Sequence, residues 1–320
     1  MRKLYAIGEL LIDFTPAGQG GSLLAVEHFT KHAGGAPANV AAVCAKLGQH
    51  AALLTQVGQD AFGDFLINTV KQAGVDTRYI AQTTEGETSL AFVSLTAEGE
   101  RDFLFYRRNA ADLLYRPEQL PANLLTAEDI LHFCSVNLVD SPMKQTHEAI
   151  ITQAHQAGCL VSFDPNVRLP LWHDAEACRQ SILQFLPSAH IVKLSDEELL
   201  FLTHIKDEQL AVESLFQGKI QVIFVTQGAQ GASLYTQQQH VKVSANTVHN
   251  IDTTGAGDAF IGAILSMLLH KNLTIEGIEA FCETFATPLL SFANHYASAS
   301  TTKHGAIPSF PTLQEVPFSF

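Results

Sequence analysis

This chain of 320 residues lacks several sequence features, and their absence argues against several classes of protein. Its 19 Lys and Arg are outnumbered by 32 Asp and Glu, and a net charge of −13 provides no basic face for nucleic acid. The five cysteines are odd in number and include no Cys-x-x-Cys pair, which disfavours a disulfide framework or a thiolate zinc site. No apolar run is long enough to span a membrane, and Glu9 and Asp13 interrupt the one run that resembles a secretory leader. We therefore expect a cytosolic protein that binds neither nucleic acid nor membranes.

Three common catalytic motifs are also missing. The chain has no Gly-x-x-x-x-Gly-Lys-[Ser/Thr] phosphate loop, no Gly-x-Ser-x-Gly nucleophile elbow and no His-Glu-x-x-His zinc motif. The acidic charge balance still permits a nucleotide ligand, because local donors and a metal cation can neutralise the phosphates. A nucleotide-dependent reaction would therefore need a phosphate site of another kind.

Short apolar runs alternate with amphipathic segments along most of the chain, in which hydrophobic residues make up 47%. The apolar runs predict buried strands at Leu4–Ile7, Ala51–Val57, Asp129–Phe133, Leu160–Phe163, Ile191–Lys193 and Gln221–Thr226. The segments between them have helical spacing at Pro37–Leu47, Ala61–Ala73, Met143–Gln156, Ala175–Leu186 and Asp196–Thr203. This alternation indicates an α/β fold with a parallel sheet covered on both faces and with ligands at the carboxyl ends of the strands.

Two regions near the N-terminus break this alternation. Thr88–Leu95 and Arg101–Tyr106 alternate at period two around Ala97–Glu100, which predicts a β-hairpin. The stretch Ile12–Phe29 is too irregular for a helix, and we expect it to join the hairpin in a small sheet that projects from the main body. Further along the chain, the pattern predicts a second hairpin at Ala232–Thr236 and His240–Val243, and a loop at Ser298–Pro311.

The most informative segment is Asp252–Phe260, in which small residues precede the apolar run Ile261–Leu269. A helix that starts there presents N–H groups and the positive end of the peptide dipole, and Gly255 and Gly257 let a phosphate approach the backbone closely. Asp258 in the first turn is placed to accept a proton from a hydroxyl that attacks the phosphate, so one segment would combine anion stabilisation with a general base. A bare Gly-x-Gly-Asp sequence is more often an ordinary helix start after a flexible turn.

A second candidate segment is Gly34–Ala41. Pro37 suits the first turn of a helix, and the two glycines before it permit close backbone approach. Asn39 offers one acceptor and two donors, which suits the recognition of sugar hydroxyls. Asp13, after the first strand, either accepts hydrogen bonds from vicinal hydroxyls or is a solvated loop acid.

Taken together, Gly34–Ala41 and Asp252–Ala263 resemble the paired signatures of the PfkB (ribokinase-like) carbohydrate kinases, in the expected order. Within that family the chain is most similar to bacterial fructokinases, in Phe105–Arg107, Ala111–Leu114, Asp164–Trp172, Lys193–Leu199 and Val225–Gly231. The resemblance covers essentially the whole chain. It implies one kinase domain over residues 1–320, with a ribokinase-like, mostly parallel central sheet flanked by helices. It also implies a small β-sheet lid over the sugar, formed by about residues 12–30 and 86–111.

The same resemblance implies ATP-dependent phosphoryl transfer to a sugar hydroxyl, with the 6-hydroxyl of D-fructose as the expected acceptor. Asp258 would be the general base, and the backbone of Thr254, Gly255, Ala256 and Gly257 would form the anion hole. The sugar would lie near Asp13, Gly35, Asn39, Arg107, Asp164, Asn166 and Arg168, with Arg107 reaching in from the lid.

The resemblance also implies positions for ATP and for two cations. ATP would contact Lys193, Thr226, Gly228, Gly231, Thr254, Gly255, Gly257 and Asn294. Glu198 would organise Mg²⁺ through water, although Ser195 stands where many relatives have asparagine. A K⁺ ion would bind beside the anion hole at Asp252 and Thr254, and activation by K⁺ is the expected consequence.

Three alternatives stay open at this point. Arginines pair bidentately with carboxylates, so Arg107, Arg108 and Arg168 are also consistent with a 2-keto-3-deoxygluconate kinase. Other sugar or nucleoside kinases of the family rank below both, and a non-catalytic sugar sensor has no need of the base Asp258. The resemblance further allows a homodimer through the lid sheet, because an exposed sheet edge invites a partner.

Overall fold

The computed structural model describes residues 2–16, 22–95 and 101–318. Its strands are β1 (Leu4–Ile7), β2 (Leu11–Pro16), β3 (Phe29–Gly34), β4 (Ala51–Gly58), β5 (Ile80–Thr83), β6 (Leu90–Leu95), β7 (Arg101–Tyr106), β8 (Ile130–Cys134), β9 (Leu160–Asp164), β10 (Ile191–Ser195), β11 (Val222–Thr226), β12 (Ala232–Tyr235) and β13 (His240–Val243). Its α-helices are α1 (Ala36–Lys46), α2 (Ala61–Gln72), α3 (Pro142–Ala157), α4 (Ala175–Phe185), α5 (Asp196–Thr203), α6 (Glu208–Leu215), α7 (Ala256–His270) and α8 (Ile278–Ser300). Residues 17–21 and the predicted turn at Ala97–Glu100 lie outside the described residues.

A nine-stranded sheet forms the centre of the molecule, in the order β13-β12-β11-β10-β9-β8-β1-β4-β5. The strands from β11 to β5 pair in parallel, and β12 and β13 are added in antiparallel fashion at one edge. The chain order reverses at β1, which pairs with β4 on one side and β8 on the other. In open parallel sheets, ligands bind outside the carboxyl ends of the strands at such a reversal point.

Helices cover both faces of this sheet, because successive side chains of each strand point to opposite faces. In β1, Leu4 and Ala6 pack into the core beneath α1, α7 and α8, whereas Tyr5 and Ile7 pack into the core beneath α3 to α6. Helix α7 is buried from Asp258 to Leu269. The start of α7 is therefore fixed by packing on nearly every side.

The two irregular N-terminal regions form a separate four-stranded sheet, in the order β3-β2-β6-β7. On one face, Phe14 stacks on Phe92 with ring centroids 4.9 Å apart. On the other face, register places Asp13 beside Ala91 and Ala91 beside Phe105, so these three side chains lie in one row across the sheet. This second sheet, which we call the small sheet, confirms the prediction that the two regions pair with each other.

The predicted α/β class is confirmed, with strand and helix boundaries close to those expected. Neither β5 nor α6 was predicted: β5 is an edge strand whose side chains are only partly buried, and α6 has just eight residues. The predicted loop at Ser298–Pro311 is wrong for its first three residues, which complete the last turn of α8. Among the described residues, no helix combines the length and the apolar character needed to cross a membrane.

Candidate active site

The segment before α7 is held in a defined turn. The Oδ1 atom of Asp252 accepts hydrogen bonds from the Thr254 N–H (2.9 Å) and hydroxyl (2.6 Å), and its Oδ2 accepts from the Gly305 N–H (2.9 Å). Gly255 has a φ of 76°, and a Cβ there would lie 2.9 Å from the Ala306 Cβ, so this position requires glycine. The turn is therefore the fixed start of a helix, whose first N–H groups have no partners within the helix.

Two cavities meet at this helix start. The first, which we call the lid-side cavity, has a volume of about 140 Å³ and is lined by Thr254, Gly255 and Asp258 together with residues of the small sheet and of α1. The second, the α8-side cavity, has a volume of about 290 Å³ and is lined by Ala256 and Gly257 together with residues that follow β11 and residues of α8. The first turn of α7 is thus the wall between two ligand-sized spaces.

Asp258 is buried and lies against the lid-side cavity. Its Oδ2 accepts a hydrogen bond from the Asn39 amide (2.8 Å), and its Oδ1 accepts one from the Asn166 amide (3.2 Å). Burial raises the pKa of Asp258 above its ordinary value, while the Asn39 hydrogen bond and the charges of Lys193 and Arg168 oppose that increase. A carboxylate that is held by two neutral amides and has a raised pKa is well suited to accept a proton.

The two amides reach Asp258 from different elements. Asn39 lies in the first turn of α1, which starts where a glycine is needed: Gly35 has a φ of 109°, and a Cβ there would lie 2.3 Å from the Glu9 carbonyl oxygen. Asn166 follows β9 with a φ of 46°, a left-handed conformation that asparagine tolerates better than most residues. The structure thus brings Gly35, Asn39, Asn166 and Asp258 to one cavity, and their contact with the sugar remains a prediction.

The small sheet supplies another wall of the lid-side cavity, through Leu11, Asp13 and Phe105. Asp13 packs so closely on Gly34 that a Cβ at that glycine would lie 1.9 Å from its carboxyl oxygen. Arg168, from the segment after β9, lines the same cavity.

Arg107 does not reach the wall of this cavity. It is buried in an ion pair with Asp112, and its Nε donates to the Ser89 hydroxyl at 3.2 Å. Asp112 also accepts from the Asn137 amide at 2.7 Å. Arg107 is therefore held in place behind Phe105, which lies two residues earlier in the chain and lines the cavity. The contact of Arg107 with the sugar remains a prediction.

Asp164 and Lys193 form a buried ion pair, with Nζ and Oδ2 separated by 3.0 Å. Burial opposes the charge of Lys193, but the carboxylates of Asp164 and Glu198 outweigh it, so its pKa is raised and the ammonium group stays charged. A Cβ at Gly257 would lie 2.9 Å from Nζ, which places this charge beside the start of α7. Asp164 itself is completely buried and lines neither cavity, so the structure does not bring it to the predicted sugar site.

Glu198 ties two segments of the site together. Its Oε1 accepts from the Val167 N–H and its Oε2 from the Ser195 N–H, both at 2.8 Å, while the Ser195 hydroxyl caps α5 by accepting from the Glu198 N–H. Ser195, which stands where many relatives have asparagine, therefore acts as the N-cap of α5. Among the described residues, no group of three or more His, Cys, Asp or Glu side chains is arranged to hold a metal ion.

The α8-side cavity contains most of the residues predicted for ATP, namely Thr226, Gly228, Gly231, Gly257 and Asn294. Gly231 has a φ of 103°, and a Cβ there would lie 2.1 Å from the Val243 carbonyl oxygen. The Asn294 amide donates to that same carbonyl at 3.0 Å. Predicted residues Thr254 and Gly255 face the lid-side cavity, and Lys193 lies behind Gly257.

Several lining residues were not predicted from sequence. The α8-side cavity is also lined by Ala245, Asn246, Thr247, Val248, Asn250, Phe260, Ala297, Ser298 and Thr301, and the lid-side cavity by Glu9, Leu11, Phe105, Val136, Leu171 and Thr253. Most are small or apolar residues whose types carry no chemical signal. Glu9 is the exception, because a carboxylate within an otherwise apolar run is a signal that could have identified it.

The whole chain is similar to known proteins. The model of the pfkB family of carbohydrate kinases matches residues 1–313. Over 315 residues, the chain is 39% identical to a probable fructokinase-4 of Arabidopsis thaliana, and the match covers 98% of this chain and 95% of that protein.

Solved structures of the same kind have the same fold. A fructokinase of Xylella fastidiosa with bound ATP has a TM-score of 0.88 and 34% identity, over 98% of this chain and 96% of that one. A fructokinase of Vibrio cholerae O395 bound to fructose, ADP and a calcium ion has a TM-score of 0.87 and 31% identity, over 97% of this chain and 96% of that one. A double mutant of that Vibrio fructokinase, with a TM-score of 0.86, 31% identity and the same coverage, holds fructose, ADP and a potassium ion. The family resemblance and the ribokinase-like fold expected from the sequence are both confirmed, and the chain belongs to the pfkB family of carbohydrate kinases.

Proposed function

We propose that this carbohydrate kinase transfers the γ-phosphoryl group of ATP to the 6-hydroxyl of D-fructose. Fructose would occupy the lid-side cavity and ATP the α8-side cavity, on opposite sides of the first turn of α7. Fructokinases of similar sequence and structure support this choice of substrates.

In the proposed step, Asp258 accepts the proton of the 6-hydroxyl as that oxygen attacks the γ-phosphorus. The bond between the γ-phosphorus and the β–γ bridging oxygen breaks, so ADP leaves and D-fructose 6-phosphate forms. The N–H groups of Gly255 and Gly257 and the charge of Lys193 stabilise the negative charge on the transferred phosphoryl oxygens, while the Ala256 N–H donates to the Thr253 carbonyl at 3.2 Å. Afterwards the proton passes from Asp258 to water.

The observation that carries this proposal is the position of Asp258, which lines the lid-side cavity from the same helix turn whose Ala256 and Gly257 line the α8-side cavity. A sugar-binding protein without catalysis needs neither a buried carboxylate held by two amides nor a second cavity across the same helix start. Phosphoryl transfer requires the acceptor hydroxyl and the γ-phosphoryl group to be positioned against each other, with a general base within reach of the hydroxyl proton.

The direct test is sugar-dependent release of ADP by the purified protein. We expect kcat/KM for D-fructose to exceed the values for ribose, 2-keto-3-deoxygluconate and aminoimidazole riboside. ADP release that does not depend on any sugar, or binding of fructose without turnover, would argue for a sensor instead.

The acid sugar 2-keto-3-deoxygluconate is the less favoured substrate. Its carboxylate would call for more than one cationic partner, but Arg168 is the one arginine among the described residues that line the lid-side cavity. Arg107 is committed to Asp112, and Arg108 is exposed outside that cavity. A higher kcat/KM for the acid than for fructose would reverse this ranking.

We propose Mg²⁺ as the divalent cation, entering with ATP. Because no three acidic, His or Cys side chains of the described residues are grouped to hold a metal ion, an ion that keeps most of its waters fits this site, and Glu198 would orient one of those waters. When bound, Mg²⁺ neutralises charge on the phosphate oxygens. We further propose that K⁺ binds near Asp252 and Thr254, by analogy with the potassium-bound Vibrio structure. Equal rates in sodium and potassium buffers would argue against activation by K⁺.

We also propose a homodimer formed through the small sheet, which would act as the lid over the sugar. Its edge strand β7 exposes Leu104 and Tyr106, with 46% and 61% of their surfaces accessible. Sedimentation of the wild type beside Tyr106→Lys tests the dimer. All five cysteines are buried and free, which suits a reducing compartment, and we propose the cytosol.

A further inference from the structure

Glu9 stands out among the groups that the proposed reaction does not use. It follows β1, the strand at which the order of the sheet reverses, and its backbone carbonyl packs against Gly35 at the start of α1. Only 2% of its surface is accessible, yet it lines the lid-side cavity together with Asn39 and Asp258. A glutamate so deeply buried normally has partners for both of its oxygens.

Only one of the two carboxyl oxygens has a partner. Oε1 accepts a hydrogen bond from the Ala36 N–H at 2.9 Å, which satisfies one donor in the first turn of α1. Oε2 is buried and has no hydrogen-bond partner within the part of the chain that the structure describes. Capping of α1 therefore explains why Oε1 is buried at this position, but it does not explain the burial of Oε2.

Asn39, which lines the same cavity, also has a buried oxygen without a partner in the described part of the chain. The Asn39 amide nitrogen donates to Asp258, but its Oδ1 is buried and unpartnered among the described residues. Glu9 and Asn39 both line this cavity, and an unpaired oxygen on each of them indicates a ligand that carries several hydrogen-bonding groups, since leaving each oxygen unpaired is costly. A sugar with hydroxyls on neighbouring carbons meets that requirement.

The ionisation of Glu9 is consistent with this role. Burial raises its pKa to about 7, and the nearby charge of Arg107 offsets only part of the effect. A partly protonated carboxyl can donate as well as accept, and a sugar hydroxyl can do both. The pairing therefore does not depend on one protonation state.

We propose that Glu9 Oε2 forms a hydrogen bond with a hydroxyl of the acceptor sugar that is not phosphorylated, and that Glu9 thereby contributes to sugar specificity. This inference rests on the proposed kinase function, in which the phosphorylated hydroxyl pairs with Asp258. A site built to pair with a hydroxyl discriminates against the analogue that lacks it, because the buried oxygen is then left unsatisfied.

The test compares D-fructose with 1-deoxy-, 3-deoxy- and 4-deoxy-D-fructose and with 2,5-anhydro-D-mannitol, which lacks the anomeric hydroxyl. Binding is measured by calorimetry and kcat/KM by ADP release, for the wild type, Glu9→Met and Glu9→Gln. Methionine has a similar length but makes no such bond, whereas glutamine keeps an acceptor for the Ala36 N–H and places an amide donor near the position of Oε2. Ser141→Ala, which removes the N-cap of α3, controls for a general loss of helix capping.

We expect the wild type to discriminate against one analogue by at least about tenfold. Glu9→Met should lose that discrimination, with a raised KM for fructose and little change in kcat, whereas Glu9→Gln and Ser141→Ala should keep it. If Glu9→Met does not fold, Glu9→Asp, which withdraws the carboxyl by one methylene, should show the same selective loss.

The proposal is overturned if Glu9→Met and Glu9→Asp weaken the binding of all five sugars by the same factor, as loss of a purely structural cap would. It is also overturned if these variants leave the ratios of kcat/KM between fructose and its analogues unchanged. These outcomes differ from a failure of the proposed function. Wild-type turnover of fructose with unchanged ratios rejects only the role of Glu9, while selective binding without turnover rejects only the kinase reaction. A wild type that does not bind fructose rejects both.

Discussion

Asp258 and Asp164 are two buried aspartates of one site with opposite surroundings. Asp258 accepts hydrogen bonds from two neutral amides and lines a cavity, whereas Asp164 forms an ion pair with Lys193 and is sealed from both cavities. Burial raises the pKa of both carboxyls, that of Asp164 to about 7, and the charge of Lys193 opposes the rise in each case, so the two differ in access to a cavity and in having an ammonium partner. The comparison indicates that one aspartate is placed for chemistry and the other for holding a charge in place.

Lys193 connects the two. Its ammonium group lies beside Gly257, and its charge also opposes the rise in the pKa of Asp258. By holding Lys193 charged, Asp164 would affect phosphoryl transfer without touching either substrate. The predicted direct contact of Asp164 with sugar is therefore replaced in our interpretation by an electrostatic role.

The largest expected effect is that of Asp258→Asn on turnover. Removing the general base should lower kcat by about 10²–10⁴-fold, while ADP affinity, which depends on the other cavity, stays nearly unchanged. Steady-state kinetics with fructose and calorimetry with ADP measure the two quantities. Asp64→Asn is a matched control, because Asp64 is an exposed carboxylate in the first turn of α2. A variant at position 258 with the wild-type rate would remove Asp258 from the mechanism.

Substitutions of Asp164 and Asp258 should have different effects on the free energy of unfolding. Asp164→Ala leaves the buried charge of Lys193 without its nearest partner, and we expect a loss of about 3–5 kcal/mol in the free energy of unfolding. Burial raises the pKa of Asp258, so its ionised form costs stability above the unfolded-state pKa, and Asp258→Asn should be as stable as the wild type or more so at neutral pH. Urea denaturation measures both.

A double substitution sharpens this test. Asp164→Ala with Lys193→Met removes both charges, so much of the lost stability should return even though activity does not. If Asp164→Ala alone costs less than about 1 kcal/mol, or if the double variant is no more stable than the single one, the ion pair does not have the role we assign to it.

The sequence predicted the sheet and the segments of this site, but not which side chains pair with each other. The alternation of apolar runs was sufficient for β1, β4 and β8 to β11, because buried strands and covering helices have distinct periodicities. Asn39 and Asp258 are 219 residues apart, and their hydrogen bond depends on α1 and α7 packing on the same face of the sheet. No local pattern contains that information.

Arg107 and Glu9 show two further limits of sequence reasoning. Asp112, the partner of Arg107, is only five residues away, but the sequence does not reveal that the strand end turns Arg107 away from the cavity. Glu9 appeared in the sequence only as an interruption of an apolar run. Its importance becomes visible when burial and hydrogen bonding are known, because only then is one of its oxygens seen to lack a partner.

A smaller effect is expected from Asn39→Ala, which removes one of the two amides that donate hydrogen bonds to Asp258. The Asn39 amide stabilises the ionised carboxylate, so its loss should raise the pKa of Asp258. Because the base must be ionised, the acid limb of the kcat/KM profile should move to higher pH, with a loss of roughly tenfold in kcat/KM near neutrality. Asn68→Ala on the exposed face of α2 is the control. An unshifted acid limb would mean that Asn39 does not tune the base.

The smallest effect, and one of opposite sign, is expected from Glu198→Gln. The charge of Glu198 raises the pKa of both Asp258 and Asp164. Glutamine removes that charge and has one acceptor oxygen, which can keep the bond from the Ser195 N–H in the capping box of α5 but not the bond from the Val167 N–H as well. The pKa of Asp258 should therefore fall and the acid limb should move to lower pH, by less than the shift for Asn39→Ala. Glu197→Gln, at the exposed neighbouring position, should leave the profile unchanged. Opposite shifts from the two variants would establish that one titrating carboxylate, Asp258, controls the acid limb. A shift in the same direction for both would assign that limb to another group.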